Sequence, residues 1–244
     1  MSTKQNIPDG KNWRIINISP LLSSRTAVFP GDTPFLRKTG LSFESGNHLE
    51  LSAITSTLHI GAHADAPSHY HPEGKKIHER SLEAYLGPVQ VIRVHAAPRA
   101  RIEVAHLQGV AILAPRVLFR TDSFPNANHW RDDFNSLSPA LLDKLAAEGV
   151  LLVGIDTPSV DPSDSKKLEA HAALFRHDFA VLEGLDLSGV NDGLYTLVAL
   201  PLNIENGEAS PVRAVLLPEG LMRDSVSTSA SHPRRAKESG GLSN

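Results

Sequence analysis

Histidine is concentrated in one short part of this chain of 244 residues. Six of the twelve histidines fall between residues 48 and 78, where an even distribution would place one or two. They are His48, His59, His63, His69, His71 and His78. Neutral imidazole binds zinc, manganese and iron, and a metal ion held by nitrogen and oxygen ligands can activate water for hydrolysis. This stretch therefore indicates a metal site.

Four potential ligands in this stretch occupy odd-numbered positions and would point to one side of an extended chain. They are His59, His63, Asp65 and His69. Gly61 and Pro67 disfavour one continuous helix through the same residues. A lone histidine on an apolar face is more often a hydrogen-bonded core residue, but three with an aspartate on one face reverse that expectation. The first three ligands with one water would suffice for a catalytic zinc, leaving His69 unbound.

A second group of potential ligands lies further along the chain. His171 and Glu183 would supply another imidazole and a carboxylate able to bridge two ions. Glu169, His177 and Asp178 lie in the same segment and compete for these roles. Spacing alone does not choose among the five.

The helices and strands that the sequence predicts around these residues indicate one α/β domain with a mixed sheet. Residues 116–121 predict a strand, and residues 150–155 form a near-continuous apolar run typical of a buried central strand. Between them, Ser138 and Pro139 predict the start of a helix and Gly149 predicts its end. This strand, helix and strand form a parallel crossover unit, and residues 156–159 follow at the carboxyl end of its second strand, where site-lining loops usually occur.

Alternation of polar and apolar residues predicts a further strand at residues 48–57, with one buried face, that leads into His59. Residues 28–34 are rich in proline and glycine and predict a rigid loop that includes Phe29. Other predicted elements are strands at residues 13–18, 87–95, 179–182, 193–203 and 212–217, a short helix starting near residue 81, and helices at 102–109 and 168–177.

Composition favours a protein that acts on a small molecule. The net charge of −3 and the pI near 6.4 give no basic surface for nucleic acid, and no apolar run is long enough to span a membrane. The chain has no cysteine, which excludes disulfides, thiol nucleophiles and thiolate metal sites and fits a reducing compartment. We therefore expect a cytoplasmic protein.

Domain organisation follows from where the composition changes. Residues 1–12 are polar and predict a flexible leader without the apolar core of a signal peptide. Residues 13–218 can bury a single core. Residues 219–244 are rich in Ser, Gly, Lys and Arg, which predicts a disordered tail.

Five stretches together resemble the metal-dependent cyclase family, and within it the arylformamidase branch. They are residues 29–32, 59–69, 154–162, 169–171 and 181–183, and the resemblance extends over residues 13–218. The first histidine run is common to the family. Residues 156–162 in combination with His171 and Glu183 are specific to this branch.

This resemblance implies hydrolysis of N-formyl-L-kynurenine to L-kynurenine and formate, with two divalent cations per chain, zinc or manganese. The implied metal ligands are His59, His63, Asp65, His171 and Glu183. Asp65 and Glu183 would bridge from the first ion to a second ion on His171, and His69 would be the acid/base. The resemblance also implies a swivelling β/β/α fold and a homodimer.

Phe29 occupies the position of a substrate-contacting tryptophan in the family. The aromatic wall is kept, but the indole N–H donor is lost. Two other functions fit the same ligands. One is a related hydrolase or cyclase acting on a cyclic imide, a lactone or an isatin-like amide. The other is a metal-binding or storage protein without turnover, whose coordination would be satisfied entirely by the protein.

Overall fold

A computed structural model describes residues 14–218, and the predicted leader 1–12 and the predicted tail 219–244 lie outside the described residues. The strands are β1 (Ile16–Asn17), β2 (Leu36–Leu41), β3 (Leu51–Thr55), β4 (His63–Asp65), β5 (Leu86–Arg93), β6 (Arg101–Ile102), β7 (Arg116–Arg120), β8 (Ser136–Leu137), β9 (Leu152–Ile155), β10 (Ala180–Glu183), β11 (Gly193–Val198), β12 (Ala209–Pro211) and β13 (Val215–Pro218). The α-helices are α1 (Pro139–Ala147) and α2 (Glu169–Arg176), and 3₁₀ turns span Phe43–Ser45, Pro67–His69, Ile77–Glu79, Leu82–Tyr85 and Val104–Leu107.

Nine strands form one sheet in the order β1-β13-β11-β5-β7-β9-β10-β4-β12. The four central strands β5, β7, β9 and β10 are parallel, and the flanking pairs are antiparallel. The predicted α/β domain with a mixed sheet is therefore confirmed. Within residues 14–218 no helix has the length and apolar character needed to cross a bilayer.

The predicted crossover unit is present, because its signals are local. The Ser138 hydroxyl accepts a hydrogen bond from the Leu141 amide at 3.1 Å, which caps α1, and Pro139 takes the first helical position. Gly149 follows the helix at a φ of +79°. The buried helix residues are Leu141, Leu142 and Leu145. These three residues belong to the same core cluster as residues of β7 and β9, which are parallel neighbours in the sheet.

The core has two parts, on opposite faces of the sheet. Val91 belongs to one cluster and the next residue, Ile92, to the other. Leu118 and Phe119 divide in the same way, as successive residues of a strand must. Buried residues of α1 and α2 belong to the cluster that contains Ile92, so both helices cover that face.

Strand β4 lies between β10 and β12, close to one edge of the sheet. Its register places Asp65 opposite Val181 and His63 opposite Glu183. Directly opposed residues of antiparallel strands project to the same side. Val181 packs in the cluster that contains the helices, so His63, Asp65 and Glu183 all project toward the helical face.

The strand predicted at residues 48–57 differs from the structure in its surroundings. Strand β3 covers only Leu51–Thr55, and it pairs with β2 in a separate two-stranded sheet. Every residue of β3 is exposed, including Leu51 at 59% and Ile54 at 65%. The prediction that one face of this strand is buried is wrong for the single chain. Alternation of polar and apolar residues shows that a strand has two unlike faces, but it does not show whether another element packs against the apolar one.

Candidate metal centre

The metal centre is built on β4, where His63 and Asp65 alternate with Ala64. Both side chains are 1% exposed. The Nδ1 of His63 lies 2.9 Å from the Gly61 carbonyl oxygen, to which it donates, so Nε2 is the nitrogen left to bind a metal ion, and it faces Asp65 and Glu183. The Nε2 atom of His63 and the carboxylate of Asp65, both on β4, therefore lie side by side, 3.5 Å apart.

Two glycines allow the strand ends to meet at this point. Gly184 has a φ of +63°, and a Cβ atom there would lie 2.1 Å from the Gly61 carbonyl oxygen. Gly61 has a φ of +56°. Any side chain at Gly184 would therefore separate the ends of β10 and β4, and with them Glu183 and His63.

Glu183 and His171 reach the centre from β10 and α2. Glu183 is held by the Val160 amide, which donates to Oε1 at 2.7 Å, while Oε2 lies 3.3 Å from the Nε2 of His63. The Nε2 of His171 lies 3.5 Å from Asp65 Oδ2 and 3.7 Å from Glu183 Oε1. The pairing of His171 and Glu183 with the first histidine run is present in the structure.

His59 and His69 complete the cluster from turns rather than from one extended segment. The Nδ1 of His59 lies 2.9 Å from Asp65 Oδ1, and the rings of His59 and His69 are 4.2 Å apart at their centroids. His69 ends the 3₁₀ turn Pro67–His69, so the uniform extended geometry predicted for residues 59–69 is limited to β4. Potential donor atoms of His59, Asp65 and His69 lie within 4.8 Å of one another.

The charges of these groups are strongly coupled. Burial opposes a charge on His63, but the carboxylates of Glu183 and Asp65 outweigh it and raise its pKa to about 9. Burial likewise opposes a charge on His171, yet neighbouring carboxylates raise its pKa to about 10. Burial would raise the pKa of Asp65, but the adjacent imidazoles hold it well below its usual range. Exclusion of water from the ring lowers the pKa of His69.

The donors fit divalent metal ions. Ten buried side-chain atoms among the described residues make no hydrogen bond of normal geometry, and four of them lie in this centre: Oδ1 and Oδ2 of Asp65, Nε2 of His63 and Nε2 of His171. Unpaired buried polar atoms are rare in folded proteins, and here all four converge on one point. The donor set is imidazole nitrogen and carboxylate oxygen, which suits zinc, manganese or iron.

The three competing ligands do not join the centre. Nε2 of His177 pairs with Asp143 at 2.7 Å, and Asp178 pairs with Arg80. Glu169 pairs with Arg101 at 2.7 Å.

A cavity of about 720 Å³ opens onto His59, His63, His69, His171 and Glu183. Aromatic side chains form its wall. Phe29 meets Trp130 edge to face with ring centroids 5.5 Å apart, and Trp130 contacts Phe124 at 6.1 Å. The indole N–H of Trp130 donates to Asp132 at 2.8 Å and is thus held within its own loop. Phe29 lines the cavity as predicted, and it is 52% exposed.

Charged side chains also line the cavity. Lys166 is the only lysine or arginine that does so within residues 14–218. The lining aspartates are Asp32, Asp122, Asp156 and Asp186. An apolar, aromatic wall with a single cation suits a ligand that carries an aryl ring and an anionic group.

Sequence reasoning did not find several residues of this region. Asp161 contacts His171, Glu208 Oε1 lies 3.8 Å from His59 Nε2, and Tyr70 packs on the His171 ring with centroids 4.9 Å apart. Tyr70 directly follows His69 in the sequence, but no spacing pattern links Asp161 or Glu208 to the histidine run, because the fold and not the local sequence brings them together.

Comparisons with known proteins agree with the fold. The Cyclase family model matches residues 16–162. Two curated proteins named kynurenine formamidase, from Bordetella pertussis and Bordetella bronchiseptica, are each 46% identical over 205 residues, covering 83% of this chain and 97% of theirs. This chain belongs to the Cyclase family.

Solved structures share the fold at lower identity. A structure described as a potential metal-dependent hydrolase with cyclase activity has a TM-score of 0.72 at 22% identity, covering 84% of this chain and 98% of its own. Isatin hydrolase A from Labrenzia aggregata, bound to benzyl benzoate, has a TM-score of 0.71 at 23% identity, covering 84% and 94%. At this identity the likeness concerns the fold alone.

Proposed function

We propose that this chain is a metal-dependent arylformamidase that hydrolyses N-formyl-L-kynurenine to L-kynurenine and formate in tryptophan degradation. The convergence of His59, His63, Asp65, His171 and Glu183 beside an aromatic cavity carries this proposal. The 46% identity to proteins named kynurenine formamidase supports the choice of substrate.

The proposed centre would hold two divalent cations, zinc in preference to manganese. His59, His63 and Asp65 would hold the first ion, and His171 would hold the second together with Asp65 and Glu183. The oxygens of Asp65 face imidazole nitrogens from both ligand groups, with Oδ1 2.9 Å from His59 Nδ1 and Oδ2 3.5 Å from His171 Nε2, which supports a carboxylate common to the two ions. When bound, such cations lower the pKa of water and polarise a carbonyl group.

His69 is the proposed acid/base. Its ring borders the cavity beside His59, and its lowered pKa keeps the imidazole neutral at neutral pH, ready to accept a proton. It would take the proton of the attacking water and deliver it to the nitrogen of the departing aryl amine. The C–N bond of the formamide then breaks, and formate and the free amine leave.

The cavity would orient the substrate by its two unlike sides. Phe29 and Trp130 form an aromatic wall against which the aryl ring would pack. The Lys166 ammonium group would attract the α-carboxylate, and Asp32 or Asp186 the α-ammonium group. Formyl-aryl amino acids would thus be favoured over aryl formamides without the amino-acid group.

A substrate panel tests this function. Purified, metal-loaded protein should consume N-formyl-L-kynurenine, with the release of aryl amine followed by absorbance. Isatin, a cyclic imide and a lactone represent the alternative of a related hydrolase in the same assay. Turnover of one of these but not of N-formyl-L-kynurenine would refute the assignment, and bound metal with no turnover of any compound would favour metal storage.

A homodimer is the proposed assembly. The hairpin of β2 and β3 exposes Leu36 at 57% and Leu51 at 59% on one face, an apolar surface that a second copy of the chain would cover. Light scattering after size exclusion should give twice the chain mass, and the Leu36→Glu, Leu51→Glu double variant should give the single-chain mass. The cytoplasmic location expected from the sequence stays a prediction.

A further inference from the structure

Asp161 is a fully buried carboxylate beside the proposed metal centre. It is 0% exposed and lies in the loop that precedes α2. Its Oδ1 accepts from the Ala170 amide at 3.0 Å, and Oδ2 accepts from the His171 amide at 3.0 Å. The Arg101 guanidinium group lies 3.3 Å from Oδ1 and balances the buried charge. Several contacts therefore hold Asp161 in one orientation.

The same carboxylate also contacts the His171 ring. Oδ2 of Asp161 lies 2.9 Å from Nδ1 of His171. A carboxylate can only accept, so Nδ1 must carry a proton, and Nε2 is the ring nitrogen left to bind a metal ion once it has lost its own proton. That Nε2 atom is buried, has no hydrogen-bond partner within the described chain, and lies 3.5 Å from Asp65 Oδ2.

The ring is held on its face as well. The Tyr70 ring packs against it with centroids 4.9 Å apart. With Nδ1 fixed by Asp161 and the face fixed by Tyr70, a ring flip would bury Nδ1 without its acceptor. His171 is thus prepared to offer Nε2 before any ligand binds.

We propose that Asp161 is a positioning residue, which holds His171 in the Nδ1–H tautomer with Nε2 directed at the bridging carboxylates and so sets the affinity of the second metal site. This rests on the proposed metal role of His171. It assigns Asp161 a role beyond capping α2, because a cap alone would need only the two amide contacts.

The test compares Asp161→Asn with Glu169→Gln in the full chain. Glu169 is a matched control, since it also pairs with Arg101 at the start of α2 but does not contact His171. Metal-free protein is titrated with zinc in competition with a chromophoric chelator. Asp161→Asn should bind the second zinc equivalent about 10- to 100-fold more weakly, with the first equivalent unchanged. Glu169→Gln should bind both equivalents as the parent protein does.

A measurement on the parent protein covers the case in which Asp161→Asn does not fold. Nitrogen-15 NMR of the histidine rings should show Nδ1 of His171 protonated in the zinc-loaded protein, with the signal assigned by its loss in His171→Gln. The opposite tautomer would overturn the proposal.

The remaining outcomes separate this proposal from the metal assignment. Equal second-site affinity in Asp161→Asn and Glu169→Gln would overturn the positioning role alone. If His171→Gln binds zinc as the parent does, His171 is not a ligand and both statements fall. The titration contains no formamide, so its result is independent of which substrate the enzyme uses.

Discussion

Glu183 and His63 are direct partners across the antiparallel pair of β10 and β4, with Oε2 of one 3.3 Å from Nε2 of the other. Because side chains alternate along a strand, a shift of the register by one residue would turn His63 and Asp65 away from the helical face. Correct strand pairing and assembly of the metal centre are therefore one structural event.

The first prediction concerns Asp65, whose two oxygens face the imidazole groups of His59 and His171. Asp65→Ala should lose metal and activity together, because it removes a carboxylate proposed to bind both ions. Elemental analysis after dialysis should find less than half of the parent zinc content. Full zinc content in this variant would contradict a bridging role.

The second prediction separates the acid/base from the ligands. His69→Ala should keep the parent zinc content and lower kcat by about 10²- to 10⁴-fold, the range for loss of a general acid/base. Zinc content and kcat are measured on the same preparation. Because His69 also lies within reach of His59 and Asp65, loss of a zinc equivalent would instead identify it as a ligand.

The third prediction follows from the raised pKa values of His63 and His171, about 9 and about 10. Both rings are protonated in metal-free protein at neutral pH and must lose a proton when Nε2 binds a cation. Zinc binding near pH 7.5 should therefore release protons, and the release should shrink as the pH rises through these pKa values. Calorimetry in buffers of different ionisation enthalpy measures it.

His171→Gln provides the control for proton release. This variant should release about one proton fewer per chain than the parent, because one protonated ring has been removed. Identical release from the two proteins would show that His171 is already neutral in the metal-free chain.

The fourth prediction concerns Lys166, the one lysine in the cavity lining. Lys166→Met keeps the apolar stem and removes the charge. KM for N-formyl-L-kynurenine should rise about 10-fold with a smaller change in kcat, whereas an aryl formamide without a carboxylate should be unaffected. Lys167→Met, at the adjacent residue that does not line the cavity, should leave both substrates unchanged. Equal losses for both substrates would argue against recognition of the carboxylate.

The fifth prediction concerns the contact of Gly184 with Gly61. Gly184→Ala should lower the free energy of unfolding by more than about 2 kcal/mol, because left-handed backbone strain is joined by a clash with a carbonyl oxygen. Gly189→Ala shares the positive φ of +75° but has open space, so it should cost only about 1 kcal/mol. Denaturant unfolding measures both. Similar losses in the two variants would show that the clash is relieved by small shifts.

Sequence reasoning succeeds where a signal is local. The Ser138 cap, Pro139 and Gly149 define α1 within a short stretch, and the apolar run at residues 150–155 contains β9. The type and crowding of the histidines likewise identify the centre. The choice of His171 and Glu183 came from family resemblance, since spacing alone left five alternatives.

The remaining features depend on contacts that no local pattern encodes. The alternation in β3 is real, yet both of its faces are exposed in the single chain, because burial depends on what packs against a strand. Asp161 lies inside the family motif, but its contact with His171 exists only once α2 has packed against the sheet. Its role therefore becomes visible from the structure alone.

The position of β4 has a consequence for how the protein is made. Its two neighbours in the sheet, β10 and β12, both lie far downstream in the sequence. While the ribosome is still producing the middle of the chain, His63 and Asp65 have no strand beside them, and these non-local pairings must wait for the later segment. The complete centre can then form only after β10 has been made, so a truncated product that stops before residue 180 would carry the histidine run without a working centre.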